Sequence, residues 1–118
     1  MVGDKMQWIK VAESLEELSF HPNNIAEVLA GNKTVCIARF KDKLFAFAHK
    51  CPHASGQLAE GYIDALGNIV CPLHRYKFCL KNGCNVSGEG YYLKHWPVKI
   101  ENGIVLVGFE VSSLGSFP

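Results

Sequence analysis

Two short segments of the chain each offer one thiolate and one imidazole within a turn's reach: Cys51-Pro52-His53 and Cys71-Pro72-Leu73-His74, with 17 residues between His53 and Cys71. Thiolate is a soft ligand and imidazole a borderline one, which points to a transition metal and excludes magnesium and calcium on ligand type. A mononuclear zinc site is one reading. Zinc fingers, however, usually gather two cysteines in one segment and two histidines in another. Here each segment mixes the two types, which suits a two-iron cluster with chemically unlike ends. A proline follows each cysteine and stiffens both loops.

The elements that must position these loops read as short strands. Turn signals recur at Gly31-Asn32, Lys41-Asp42-Lys43, Leu66-Gly67-Asn68, Asn82-Gly83 and Asn102-Gly103, and the runs between them are rich in Val, Ile, Phe and Tyr. That pattern predicts an all-β sandwich or barrel. In Trp96-Pro97-Val98-Lys99-Ile100-Glu101 the alternation puts Trp96, Val98 and Ile100 on one face and Lys99 and Glu101 on the other. Asn102-Gly103 then turns the chain into Ile104–Phe109. Ser14-Leu15-Glu16-Glu17 has the form of a capping box, so a short helical turn is expected before Phe20. Ile25–Ala30 is helical by propensity, but Gly31-Asn32 and the apolar run Thr34–Phe40 make it the first arm of a hairpin. No repeat, linker or low-complexity stretch is evident, and the tail from Ser112 to Pro118 is expected to fray.

At 118 residues the chain is expected to be one domain, large enough to bury a core without disulfides. Twelve Lys and Arg nearly balance eleven Asp and Glu, which implies no nucleic-acid partner. No apolar run is long enough to span a bilayer, and Met1–Lys10 has no apolar stretch of the signal-peptide kind. A cytoplasmic protein without a membrane partner is the expectation.

Five cysteines, an odd number, argue against a fully paired disulfide framework. Cys36, in an apolar run, reads as a small buried hydrophobe. Cys79 and Cys84 flank Asn82-Gly83, the strongest short hairpin signal. A two-residue turn there would set Lys81 opposite Cys84 and Cys79 opposite Val86. The two sulfurs would then lie diagonally, about 7–8 Å apart between strands, beyond disulfide geometry, so both read as free thiols. His49 is expected to meet solvent or a backbone group rather than a metal, His95 to be an exposed strand residue and His21 a turn residue. Arg75 and Lys77, on either side of Tyr76, are either a basic patch facing an acidic partner or a solvated strand face.

The pair C-x-H and C-x-x-H at this interval resembles the Rieske iron–sulfur signature. In such a centre two cysteines hold one iron of a [2Fe–2S] cluster and two histidines the other. The resemblance makes Cys51, His53, Cys71 and His74 the ligands of one cluster per chain. It covers about Trp8 to Phe109 and includes Leu58-x-x-Gly61, Phe78, Leu93-Lys94-His95-Trp96-Pro97-Val98 and the Asn102-Gly103 hairpin. The fold it implies is three antiparallel sheets with the ligand loops at the tip of a small cluster-binding subdomain, roughly residues 50–91. Two ferric ions, two sulfides and two thiolates sum to zero charge beside neutral imidazoles, so an electron is added more easily than to an all-cysteine cluster. By the same resemblance the imidazole edge reaches the surface, as contact point and electron exit.

Departures from related patterns refine the expectation. Rieske proteins of cytochrome bc complexes carry a bridged cysteine pair where this chain has Gly56 and Leu73, and a serine hydroxyl against a sulfide where it has Tyr76. Fewer hydrogen bonds to sulfur stabilise the reduced state less, which indicates the low-potential ferredoxin type. The stretch that commonly forms a proline-rich cluster cover reads Ser87-Gly88-Glu89-Gly90-Tyr91-Tyr92 here. The resemblance therefore implies a one-electron carrier rather than an enzyme. It would pass electrons from an NAD(P)H-dependent flavin reductase to a terminal oxygenase or reductase subunit. An oxygenase would itself need a second iron site of two histidines and a carboxylate, and the chain is expected to be too short to hold one. Two other readings stand beside this one: the small subunit of an NAD(P)H nitrite reductase, and a zinc-stabilised interaction module.

Overall fold

A computed structural model describes residues 6–52, 56–73, 75–88 and 90–110. Ten strands run in the order β1 (Met6–Ala12), β2 (Ile25–Ala30), β3 (Lys33–Phe40), β4 (Lys43–Ala48), β5 (Tyr62–Ile63), β6 (Asn68–Val70), β7 (Lys77–Cys79), β8 (His95–Trp96), β9 (Val98–Glu101) and β10 (Ile104–Glu110). They form three antiparallel sheets, β1-β10-β9, β2-β3-β4-β8 and β5-β6-β7. The all-β, three-sheet expectation holds, and Ile25–Ala30 is the first arm of a hairpin with β3.

Strand β3 organises the molecule. Successive side chains of a strand point to opposite faces, and residues 35–38 are buried on both. Val35 and Ile37 enter a core shared with Ala12, Val105, Val107 and Phe109, which joins the β1-β10-β9 sheet to the central one. Cys36 and Ala38 face the other way, into a core with Phe47, Leu58, Ile69, Phe78, Leu80 and Leu93. The second core also contains Cys51 and Cys71. Cys36 is fully buried and burial pushes its thiol up to about 12, as a small hydrophobe should behave.

Two tight turns share one backbone geometry. Lys41-Asp42 and Asn102-Gly103 both take positive φ at their two central residues, the geometry that matches strand twist. Asn82-Gly83 differs from the sequence expectation. Phe78 bridges Asn85, and Cys79 N–H donates to the Cys84 carbonyl at 2.9 Å. The loop therefore has four residues, Leu80 to Gly83, and Gly83 N–H returns to the Cys79 carbonyl at 2.8 Å. Cys79 faces Cys84 directly, not diagonally. The two-residue turn fails because Leu80 points inward to the core, at 3% exposure, and so belongs to the loop and not to a strand pair.

Two smaller features also differ from expectation. Leu15–Glu17 is a single 3₁₀ turn, but the Ser14 side chain makes no cap; Glu17 reaches past it to the Glu13 N–H at 2.7 Å. The alternating run from Trp96 is divided by Pro97, which has no N–H for a ladder. Trp96 pairs in the central sheet, Val98–Glu101 pair with β10, and Ile100 stays half exposed.

Asp64 closes the turn from β5 to β6. Its carboxylate accepts from Leu66 N–H at 2.9 Å, Asn68 N–H at 3.0 Å and Asn68 Nδ2 at 3.1 Å, with Lys77 Nζ at 3.8 Å. Burial alone would raise this carboxyl, but the Asn68 and Leu66 donors and the Lys77 charge outweigh it and hold the group below its ordinary range. Asp64→Ala leaves those N–H groups without their acceptor and should cost about 1–3 kcal/mol in a denaturation series. A lowered carboxyl contributes stability that is complete above its unfolded value, near pH 4, and fades as pH falls through the folded one. The wild type should lose this increment on acidification and the variant should not. Equal denaturation midpoints at pH 7 would refute the role.

Candidate metal centre

Each cysteine of the paired segments opens a loop of the same construction. Cys51 follows β4 by way of His49 and Lys50, and its N–H donates to the Gly56 carbonyl at 2.8 Å. Cys71 leaves the end of β6, and its N–H donates to the Tyr76 carbonyl at 2.8 Å. In both loops the closing bond reaches five residues ahead, over the segment that carries the histidine. The near-repeat in sequence is thus a repeat in backbone hydrogen bonding. His53 and His74 lie outside the described residues, and among those described no group of three or more candidate ligands gathers.

The two loops bring their sulfurs together. Cys51 and Cys71 are both buried, and the Cys51 thiol is in hydrogen-bonding contact with Cys71. Burial is the main cause that pushes the Cys71 thiol up to about 11; Leu73 N–H opposes it by donating to the sulfur, and Cys51 adds to it. Burial of this kind works against the charged form of the Cys71 thiol, and a metal binds cysteine as thiolate.

Gly56 lies against this pair. A Cβ there would stand 3.0 Å from Cys71 Sγ and 3.1 Å from Leu73 Cδ1. Gly56 and Leu73, the positions where the Rieske proteins of cytochrome bc complexes carry a bridged cysteine pair, are therefore neighbours here as well. Neither Gly56 nor the Leu73 N–H can be identified as a sulfur contact from sequence, because no spacing rule marks a glycine as facing a sulfur. The donor set fits a two-iron cluster: two convergent thiols can serve one metal, and each loop carries one imidazole for another.

The other polar residues near the motif have separate fates. His49 Nδ1 lies 3.2 Å from the Thr34 carbonyl, so this ring is held by backbone. His21 sits in an exposed turn whose carbonyl accepts from Asn24 N–H. His95 lies on β8 but is half buried rather than exposed, with its Nδ1 buried and without a hydrogen-bond partner among the described residues, because Gly83 lets the hairpin loop approach its ring. Lys77 pairs with Asp64 while its side chain stays 44% exposed, and Arg75 is exposed, so both cations beside Tyr76 are accessible. Tyr76 also packs on Tyr91, ring centroids 5.9 Å apart.

Comparison with known proteins agrees with this geometry. A family model described as the Rieske [2Fe–2S] domain matches residues 7–91. The ferredoxin component of an alkene monooxygenase system from Xanthobacter autotrophicus is 30% identical over 68% of this chain and 66% of its own length, just under two thirds. An anthranilate 1,2-dioxygenase ferredoxin subunit from Burkholderia cepacia is 32% identical over 75% of this chain and 82% of its own. Among solved structures, one titled as a complex of reduced oxygenase and oxidized ferredoxin in carbazole 1,9a-dioxygenase matches with TM-score 0.70 and 27% identity, covering 85% of this chain and 91% of that one. At the level of fold alone, a Mycobacterium tuberculosis protein described as an NADH-dependent nitrite reductase small subunit matches with TM-score 0.74 and 18% identity, over 90% and 97% of the two chains.

Proposed function

The chain belongs to the Rieske [2Fe–2S] domain family, and from that premise we propose that it is the ferredoxin of a multicomponent oxygenase system, a one-electron carrier and not itself an enzyme. Its electrons come from an NAD(P)H-dependent flavin reductase and go to a terminal oxygenase. The reading assigns Cys51 and Cys71 to one iron and His53 and His74 to the other. The observation that carries it is the convergence of two buried cysteine thiols at the heads of two alike loops, each with its own histidine. Residues 50–91 are proposed as the cluster-binding part; in support, both loops and the β5-β6-β7 sheet fall within that range.

Bound, the cluster accepts and releases one electron at a time. The chain's own residues supply the surroundings. Phe78, Leu58 and Ile69 close the protein side of the cysteine pair against water, and Leu73 N–H is aimed at a sulfur. Arg75, exposed next to His74, offers a positive charge to an acidic partner surface.

The nitrite reductase reading shares the fold, but small subunits of that kind often lack the cluster ligands and this chain has all four in sequence; the three relatives cited here at 27–32% identity are ferredoxins of oxygenase systems. A cytoplasmic location is part of the proposal. Five cysteines, an odd number, do not make a fully paired disulfide framework of the secreted kind, and among the described residues no helix is long and apolar enough to cross a membrane.

Protein purified without oxygen should be red-brown and, when reduced, give an electron-spin resonance whose average g lies below that of all-cysteine ferredoxins. Without the serine hydroxyl or the bridged cysteines, its potential should sit toward the low end of the Rieske span, roughly −150 mV at pH 7. It should be flat near neutrality and slope downward only in the alkaline range. Stoichiometric zinc in place of iron and sulfide would establish the interaction-module reading instead. A potential above zero would remove the ferredoxin assignment.

A further inference from the structure

Cys79 and Cys84 stand opposite each other on the outer face of the hairpin around Asn82-Gly83, where the electron-carrier reading gives them no part. The pairing is set by three backbone bonds. Cys79 N–H donates to the Cys84 carbonyl at 2.9 Å, Gly83 N–H to the Cys79 carbonyl at 2.8 Å, and Val86 N–H to the Lys77 carbonyl at 2.9 Å. Gly83, with φ of +74°, is the extra residue of a bulge, so Gly83 and Cys84 together oppose the single Cys79. Residues directly opposite in such a pair share a face and have Cα atoms about 5.5 Å apart. A disulfide spans about 4.4–6.8 Å between Cα atoms, a range that includes the spacing of a regular pair, and the Cys79 N–H to Cys84 carbonyl bond at 2.9 Å keeps the two backbones at ladder distance.

The face they share is the accessible one. Phe78 and Asn85, the bridged neighbours on either strand, set the alternation, and Phe78 is fully buried. Cys79, next to it, is therefore directed outward and is half buried, while Cys84 is exposed. Among the described residues no third ligand joins the two sulfurs to make a metal site. Cys84 in turn bridges Tyr92, and Gly83 accepts from Leu93 N–H at 2.9 Å. The pair thus sits where β7, which continues from the Cys71 loop, is joined to the return of the segment from residue 84 to residue 92.

We infer that Cys79 and Cys84 are a reversible dithiol–disulfide modification site, oxidised by exchange with a low-molecular-weight disulfide. The Cys84 thiolate, the more accessible, attacks one sulfur of that disulfide; its S–S bond breaks, one thiol leaves, and a mixed disulfide remains on Cys84. Cys79 gives its proton to solvent and attacks Cys84 Sγ, which forms the Cys79–Cys84 bond and releases the second thiol. Two protein thiols are oxidised and one external disulfide is reduced to two thiols. The ring closed is short, so the bond adds little loop entropy to the fold and remains open to reduction. When closed it ties β7 covalently to the start of the 84–92 segment; when open the junction is held without a covalent link, by backbone bonds such as Cys79 N–H to the Cys84 carbonyl.

The test uses the full cluster-loaded protein and oxidised glutathione without oxygen, followed by acid quench, alkylation of free thiols and tryptic mass mapping. Cleavage after Lys77, Lys81 and Lys94 separates the two cysteines onto different peptides. The expected product is those two peptides joined, with two fewer alkylated cysteines, reversed by dithiothreitol. Cys79→Ser should halt at a glutathione adduct on Cys84, and Cys84→Ser should leave Cys79 largely alkylated. A wild-type protein that keeps both thiols alkylatable, or that accumulates the Cys84 adduct without forming the joined peptides, would overturn the inference. Because the readout is the thiols themselves, it succeeds or fails apart from the identity of the electron partners.

Discussion

Cys51→Ser, His53→Ala, Cys71→Ser and His74→Ala should each give a colourless protein with essentially no bound iron or acid-labile sulfide. Each change removes one of only four bonds from protein to cluster under the proposed assignment. For the cysteines the structure adds a second cost. Both sulfurs are buried against Leu58, Ile69 and Phe78, so a serine there leaves a hydroxyl among apolar side chains in place of a thiolate on iron. Cys36→Ser, Cys79→Ser and Cys84→Ser form the control set, since none of these belongs to the two loops. They should retain the full visible spectrum, although Cys36→Ser, placing a hydroxyl in a fully buried strand, should lower the melting temperature. Iron, sulfide and visible absorption on protein made under identical conditions decide the matter. Loss of the cluster in Cys79→Ser would mean that the thiols have been assigned wrongly.

The four proposed ligands are legible in the sequence because ligand chemistry is written in residue type and short spacing, both of which survive in a string of letters. The sheets are legible for a related reason: Asn102-Gly103 turns the chain by local backbone preference, and both it and Lys41-Asp42 make the tight hairpins expected of them. Asn82-Gly83 shows where this stops. The same local signal is overridden because Leu80 has a place in the core beside Phe78, which lengthens the loop and puts Cys79 opposite Cys84. A tertiary contact decides the register, and no window around the turn contains it. The alternating run after Trp96 misleads in the same way, since Pro97 passes the chain from one sheet to another while the periodicity continues unbroken. Gly56 reads in sequence only as the place of an absent cysteine, because its closeness to Cys71 Sγ depends on a residue far along the chain.

Gly61→Ala should be among the most damaging single changes outside the ligands. Its φ of −86° is open to any residue, so backbone strain is not the reason. Space is. A Cβ on Gly61 would fall 2.0 Å from the Val70 carbonyl oxygen, and that atom is backbone, unable to swing aside as a side chain could. The Gly61 carbonyl is also held by Asn23 Nδ2 at 3.0 Å, and its N–H by the Leu58 carbonyl at 3.0 Å, so the glycine cannot readily withdraw either. Relief must come from separating Tyr62 from Val70, the β5–β6 pair that immediately precedes Cys71. Overpacking of this kind typically costs about 1–3 kcal/mol, and with backbone on both sides of the clash a value of about 3 kcal/mol or more is expected. Displacing Val70 carries Cys71 away from Cys51, so cluster content should fall to a small fraction of wild type. Gly31→Ala is the matched comparison: its φ of +67° carries strain but nothing lies within 4 Å of the added carbon. That variant should lose about 1 kcal/mol and keep its cluster. Iron content and thermal unfolding of the two variants side by side test the claim. Full cluster loading with an unchanged melting temperature in Gly61→Ala would show that the approach of β6 to Gly61 does not position Cys71.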